Sequence, residues 1–298
     1  MHSWMGRASP SSLLPATEVR AGRAPKKHGS GSVRRKERRP LLRGRSRPSA
    51  GRAIPIAMSV AETVSRVFPG ALPEKTFVRR TLTRTKRLGF TADNTIACVG
   101  TCRDELCRPL EQAVFRTWGE AFNFSSLGGF PFLGRTGVTA ARSHAPLCDG
   151  KERYAFFALP HIGLSQDGEL GVCHRSGQTA ATAACGALDV IRGELERGPL
   201  REEPDREDPE MSLIRRALAP VVPPGSKPDL LALTRLALGV IERDLERLIT
   251  LCVGSIRADY AVFSGIQINT PNGNWVLPQN AYAVVDWSRV ELDLGDRK

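Results

Sequence analysis

The stretch NTIACVGTCRDELCRPLEQAVFRTW, residues 94–118, decides the fold. Residues 94–100 are an apolar run of strand length. Residues 104–118 then place Leu106, Leu110, Val114, Phe115 and Trp118 at the three- and four-residue spacing of one helical face. Asp104 is the expected cap of that helix, and Pro109 is expected to disturb its second turn. Moving outward, residues 152–159 (ERYAFFAL) read as a second buried strand, residues 122–127 (FNFSSL) as a strand entering a glycine-rich stretch at 128–137, and residues 74–88 as a basic helix. Residues 180–195 are a further predicted helix. Residues 229–252 are a long amphipathic one, with Leu233, Leu236, Val240, Ile241, Leu245, Leu248 and Cys252 on one stripe. Short strands alternating with longer helices predict an α/β fold with a mostly parallel central sheet flanked by helices. Residues 260–268 and 275–292 alternate around the turn Asn272-Gly273, the pattern of a C-terminal antiparallel hairpin. Between the helices, residues 198–210 (GPLREEPDREDPE) read as a surface loop.

Charge divides the chain. Its net charge of +12 resides in residues 1–57, which hold 14 basic residues and only two acids, Glu18 and Glu37, leaving 29 basic against 29 acidic groups afterwards. A folded part without excess Lys and Arg argues against nucleic-acid binding, and no run of about 18 apolar residues supports membrane insertion. Rich in Arg, Ser, Pro and Gly, residues 1–57 are expected to be a disordered basic tail with the composition of a transit peptide. A single α/β domain is expected over 58–298. The destination expected for such a tail is the chloroplast stroma, with the mitochondrion as alternative, or the cytoplasm if Met58 is the true start.

Seven cysteines, an odd number, and no secretory signal favour reduced thiols over a disulfide framework. Cys102 follows the first strand, His161 follows the second, and Cys185 stands at the predicted helix start. Ligands gather at the carboxyl ends of parallel strands, so these three form a candidate Cys2His set, the donor type of a catalytic zinc with one open position. Against it stand ordinary core packing of free cysteines and a second set of no worse spacing, His144, Cys148, Cys173 and His174. Cys98 and Cys102 could also serve a redox role, although their spacing is one residue longer than C-x-x-C. Spacing alone does not choose among these.

Several blocks, in order, resemble one family. They are residues 96–106 (IACVGTCRDEL), 118–120 (WGE), 122–127 (FNFSSL), 144–146 (HAP), 149–154 (DGKERY), 160–162 (PHI) and 184–188 (ACGAL). Together they resemble the low-CO2-inducible protein B/C family, the theta carbonic anhydrases, over roughly residues 66–290. The resemblance implies a β-carbonic-anhydrase-like fold, a homodimer or a heterodimer with a related chain, and Zn2+ held by Cys102, His161 and Cys185. The implied activity is reversible hydration of CO2 to bicarbonate in a CO2-concentrating or carbon-recapture role; an inert zinc-stabilised scaffold is the alternative. Phe124, Phe130 and Phe132 would keep the site dry if they face it.

Ordinary β-carbonic anhydrases resemble C-x-D-x-R followed by H-x-x-C. Here Asp104 keeps its place two residues after Cys102, but position 106 is Leu and Cys185 lies 24 residues beyond His161. Asp104 and an arginine partner are therefore the expected catalytic pair, with Arg103 preferred over Arg108 and Arg175.

Overall fold

The deciding stretch folds as strand, turn and helix, in a computed structural model that describes residues 59–254 and 256–295. The tail expected over 1–57, and Met58, lie outside the described residues. In chain order the elements are α1 (Val60–Val67), β1 (Leu72–Pro73), α2 (Glu74–Lys86), β2 (Ile96–Thr101), α3 (Arg108–Trp118), β3 (Ala121–Asn123), α4 (Gly134–Arg142), β4 (Leu147–Cys148) and β5 (Lys151–Leu159). They continue with β6 (His161–Gly163), β7 (Val172–Cys173), β8 (Thr182–Ala183), α5 (Gly186–Arg197), α6 (Pro209–Leu218), α7 (Leu230–Cys252), β9 (Ala258–Asn269), β10 (Trp275–Val285) and β11 (Ser288–Glu291).

The main sheet runs β1-β10-β9-β5-β2-β3. Its central strands β3, β2, β5 and β9 are parallel neighbours, whereas β10 joins β9 antiparallel and carries β1 and β11. Successive side chains of a strand face opposite sides, so β2 sends Ile96 and Cys98 to one core and Ala97 and Val99 to the other. The first core packs Phe156, Ala158 and Val262 under α5, α6 and α7; the second packs Phe157 and Phe263 under Phe77 of α2 and Trp118 of α3. Both faces being covered explains why every residue of β2 is buried.

Several boundaries differ from the sequence pattern for local reasons. Asp104 accepts the Leu106 N–H and caps a 3-10 turn at Glu105–Cys107, and the α-helix starts only at Arg108. Pro109 therefore lies in the first turn, where its missing N–H costs nothing, instead of disturbing the second. Phe115, expected on the buried face of that helix, is 55% exposed. The strand expected at 122–127 is only Ala121–Asn123. The helix expected from residue 180 begins at Gly186, because Thr182–Ala183 pairs with Val172–Cys173. At the C-terminal hairpin the second arm is interrupted at Asp286 and Trp287, both at positive φ, which fold β11 back onto β10. No helix among the described residues is long and apolar enough to cross a membrane.

Candidate metal centre

Thr101 and Leu159 are register partners in adjacent parallel strands, so the residues that follow them leave the sheet at the same end. Pro160 interrupts β5, yet β6 continues against β9 in the same register, His161 opposite Gln267. This brings Cys102 and His161 together by main-chain ladders alone.

Cys185 arrives differently. It is the residue before α5, held by three backbone hydrogen bonds: Gly163 N–H to Ala184 O (2.9 Å), Ala184 N–H to Gly171 O (2.9 Å) and Gly171 N–H to Gly163 O (2.8 Å). This clasp requires a glycine at 163, where a Cβ would stand 2.3 Å from the Val172 carbonyl oxygen.

The result is a buried cluster in which the ligand atoms of Cys102, His161 and Cys185 all lie within 4.8 Å of one another. The two Sγ atoms are 3.7 Å apart, and the Gly128 N–H points at Cys102 Sγ from 3.3 Å. Among the described residues this is the one group of three or more His, Cys, Asp or Glu side chains with such convergence. The Cys102 thiol is pushed down to about 4, first by its hydrogen bond with Cys185 and then by His161, against the effect of burial. Cys185, on the other side of that bond and fully buried, is pushed up.

His161 is oriented from behind. Asn269 donates through Nδ2 to the Leu106 carbonyl (3.0 Å), which turns its Oδ1 toward His161 Nδ1 at 2.7 Å. With Nδ1–H donating there, Nε2 keeps its lone pair for the cluster, and that atom is buried with no hydrogen-bond partner.

Asp104 stands at the edge, its Oδ2 3.8 Å from His161 Nε2. Its carboxyl is pushed up by burial, with the Leu106 N–H, His161 and Arg175 acting against that. The guanidinium beside it is that of Arg175, at 2.6 Å from Asp104 Oδ2 and 2.6 Å from Glu105 Oε1, anchored in turn on the Ala183 carbonyl and Thr182. The pairing expected of Arg103 is thus made by Arg175. Arg103, two residues beyond the end of β2, is 60% exposed; its side chain turns toward α6, where it pairs with Glu210 at 2.7 Å and donates to the Ser125 carbonyl. Arg108 is exposed at the start of α3.

The competing set is dispersed among other partners. His144 lies by the Phe122 ring, Cys148 pairs in β4, Cys173 Sγ is 3.9 Å from Thr182 Oγ1, and His174 is exposed. Cys98 is a core residue of β2 whose thiol burial pushes up. Phe124 and Phe130 share the hydrophobic core of Cys102 and Cys185, and Phe132 stacks on Phe130 at its margin. Asn269 and Gly128 were not foreseen. Asn269 is one of several polar residues in its strand, with Asp259, Ser264 and Gln267, and nothing in the pattern singles it out; Gly128 acts through a backbone N–H that no side chain announces.

Fold and cluster together define an α/β protein with a buried Cys2His donor set at the carboxyl end of its parallel strands. Residues 71–285 match the family described as limiting CO2-inducible proteins B/C beta carbonic anhydrases, and the chain belongs to that family. It is similar to the crystal structure of limiting CO2-inducible protein LCIB, with 34% identity and a TM-score of 0.65, covering 77% of this chain and 96% of that one. It is also similar to PtLCIB4, a homologue of LCIB, with 26% identity and a TM-score of 0.69, covering 78% of this chain and 99% of that one. No curated protein matches the chain.

Proposed function

We propose that this chain is a zinc enzyme interconverting CO2 and bicarbonate, with Cys102, His161 and Cys185 holding the metal. The observation that carries the reading is the convergence of these three side chains within 4.8 Å. The donor chemistry fits the ion: two thiolates about 2.3 Å from a tetrahedral zinc stand about 3.8 Å apart, and Cys102 and Cys185 stand 3.7 Å apart. The orphaned Nε2 of His161 is the third donor. Thiols and imidazole suit zinc and disfavour magnesium or calcium.

Bound there, zinc supplies Lewis acidity toward oxygen and so a route to hydration at neutral pH. The rest falls to the chain. Asp104, beside His161, accepts the proton of the attacking water through its carboxylate and orients that water. Arg175 keeps the carboxylate at the edge of the site, off the fourth ligand position, through the 2.6 Å pair. Asn269 holds the His161 ring, and the apolar packing of Phe124 and Phe130 favours a nonpolar gas over bulk water. In this reading residues 1–57 are an address for the chloroplast stroma, the enzyme is a dimer, and its role is carbon concentration or recapture.

The test is CO2 hydration by the zinc-loaded full chain in a stopped-flow pH assay. Catalysis above the buffer rate supports the reading. Zinc-replete protein without it would make the chain a zinc-stabilised scaffold. A fluorescent fusion lacking residues 1–57 that still reaches the chloroplast would overturn the assigned address.

A further inference from the structure

The charged contact that Arg103 makes leads from the surface to the metal ligands. Glu210, in the first turn of α6, is three-quarters buried at its side chain and uses both carboxylate oxygens. Oε1 pairs with Arg103 Nη2 at 2.7 Å, and Oε2 accepts the Leu127 N–H at 2.8 Å. The next N–H along the chain, that of Gly128, is the one aimed at Cys102 Sγ. The peptide plane that carries this N–H is attached at the Leu127 Cα, so anchoring the Leu127 N–H bears on its direction. The same loop is tied to the segment around Cys102 by Ser126 N–H to Thr101 O (3.2 Å) and Arg103 N–H to Ser126 O (3.1 Å), and is closed on itself by Ser126 Oγ to Phe130 O (2.5 Å).

We propose that Glu210 is a positioning residue for the metal centre: by holding the Leu127 N–H it aims the Gly128 N–H at Cys102 Sγ and tunes the donor strength of that thiolate. The proposal rests on Cys102 being a metal ligand. A hydrogen bond to a ligating sulfur lowers its electron density, which raises the energy of charge transfer to the metal, and favours the metal-binding thiolate over the thiol; outer-shell partners are worth about 10–100-fold in metal affinity. Arg103 serves as the outer partner of Glu210. With the guanidinium 60% exposed, that ion pair contributes little by itself, so the part-buried contact to Leu127 carries the effect.

The experiment uses the full chain loaded with Co2+ in place of zinc, read by the thiolate-to-cobalt charge-transfer absorption and by competition for zinc against a chromophoric chelator. Glu210→Ala is expected to move the band to lower energy and to weaken zinc binding by roughly tenfold. Glu210→Gln, whose amide oxygen can still accept the Leu127 N–H, is expected to leave band and affinity near those of the unaltered chain. Leu218→Ala, a fully buried residue of the same helix, controls for mere loosening of α6 and should lower stability without moving the band. If Glu210→Ala does not fold, Glu210→Asp, shorter by one methylene, should shift the band in the same direction by less. An unmoved band in the Ala or Asp variant at position 210, equal shifts in its Ala and Gln variants, or an equal shift in Leu218→Ala overturns the proposal. An unaltered chain with no thiolate-to-cobalt band overturns the metal reading itself, and with it this one.

Discussion

The two halves of the cluster are built by different means. Cys102 and His161 follow strands β2 and β5 and are placed by continuous ladders through the middle of the sheet. Cys185 and Arg175 come from the segment around the two-residue strands β7 and β8, held by the clasp among residues 163, 171 and 184 and by the side chain of Arg175 itself. The strand-borne half is specified redundantly, since losing one ladder bond leaves many others. The hairpin-borne half depends on a few contacts, each of which alters the site if lost.

Removing a ligand breaks both halves alike and has the largest expected effect. The full chain is expected to purify with about one zinc per chain; Cys102→Ser, His161→Ala and Cys185→Ser should each lose most of it, while Cys148→Ser and Cys173→Ser should keep it. Metal analysis of the purified variants checks this, and full occupancy in the first three contradicts the assignment. Next come the groups that work beside the metal. Asp104→Ala and Arg175→Ala should retain zinc but lose about 100-fold or more in hydration rate, the usual scale of a lost positioned acid–base group. Full activity in a zinc-replete Asp104→Ala chain would reduce Asp104 to the cap of its 3-10 turn.

The clasp gives a smaller effect, on stability. Gly163→Ala drives a methyl into the Val172 carbonyl, and overpacking of this kind should cost about 1–3 kcal/mol, measured by denaturant unfolding. An equally stable variant would show that the hairpin half is less tightly drawn than described. Smallest is Arg103→Ala, which removes an ion pair whose arginine is 60% exposed and should cost about 1 kcal/mol or less. Its activity should fall far less than that of Arg175→Ala; a reversal of that order would return the catalytic pairing to Arg103.

The same contrast explains what the sequence disclosed. The strands at 94–100 and 152–159 are legible because full burial demands apolar runs, and α7 because its stripe faces one core. Their ends locate Cys102 and His161. The segment before α5 has a helical pattern because residues 179–188 (TAATAACGAL) are rich in alanine, and nothing local reveals that Thr182–Ala183 pairs with Val172–Cys173. The choice of Arg175 over Arg103 was hidden for a related reason. Asp104 and Arg175 are 71 residues apart in the chain, and only the fold of the hairpin sets the guanidinium on the carboxylate. Arg103, adjacent in sequence to Asp104, is turned toward Glu210.

The central claim, a metal centre of two thiolates and one imidazole, is tested most directly by zinc-edge X-ray absorption on the purified full chain. The account predicts two sulfur neighbours at about 2.3 Å and one imidazole nitrogen at about 2.0–2.1 Å. A chain that holds no zinc, or whose zinc has no sulfur neighbours, would contradict it.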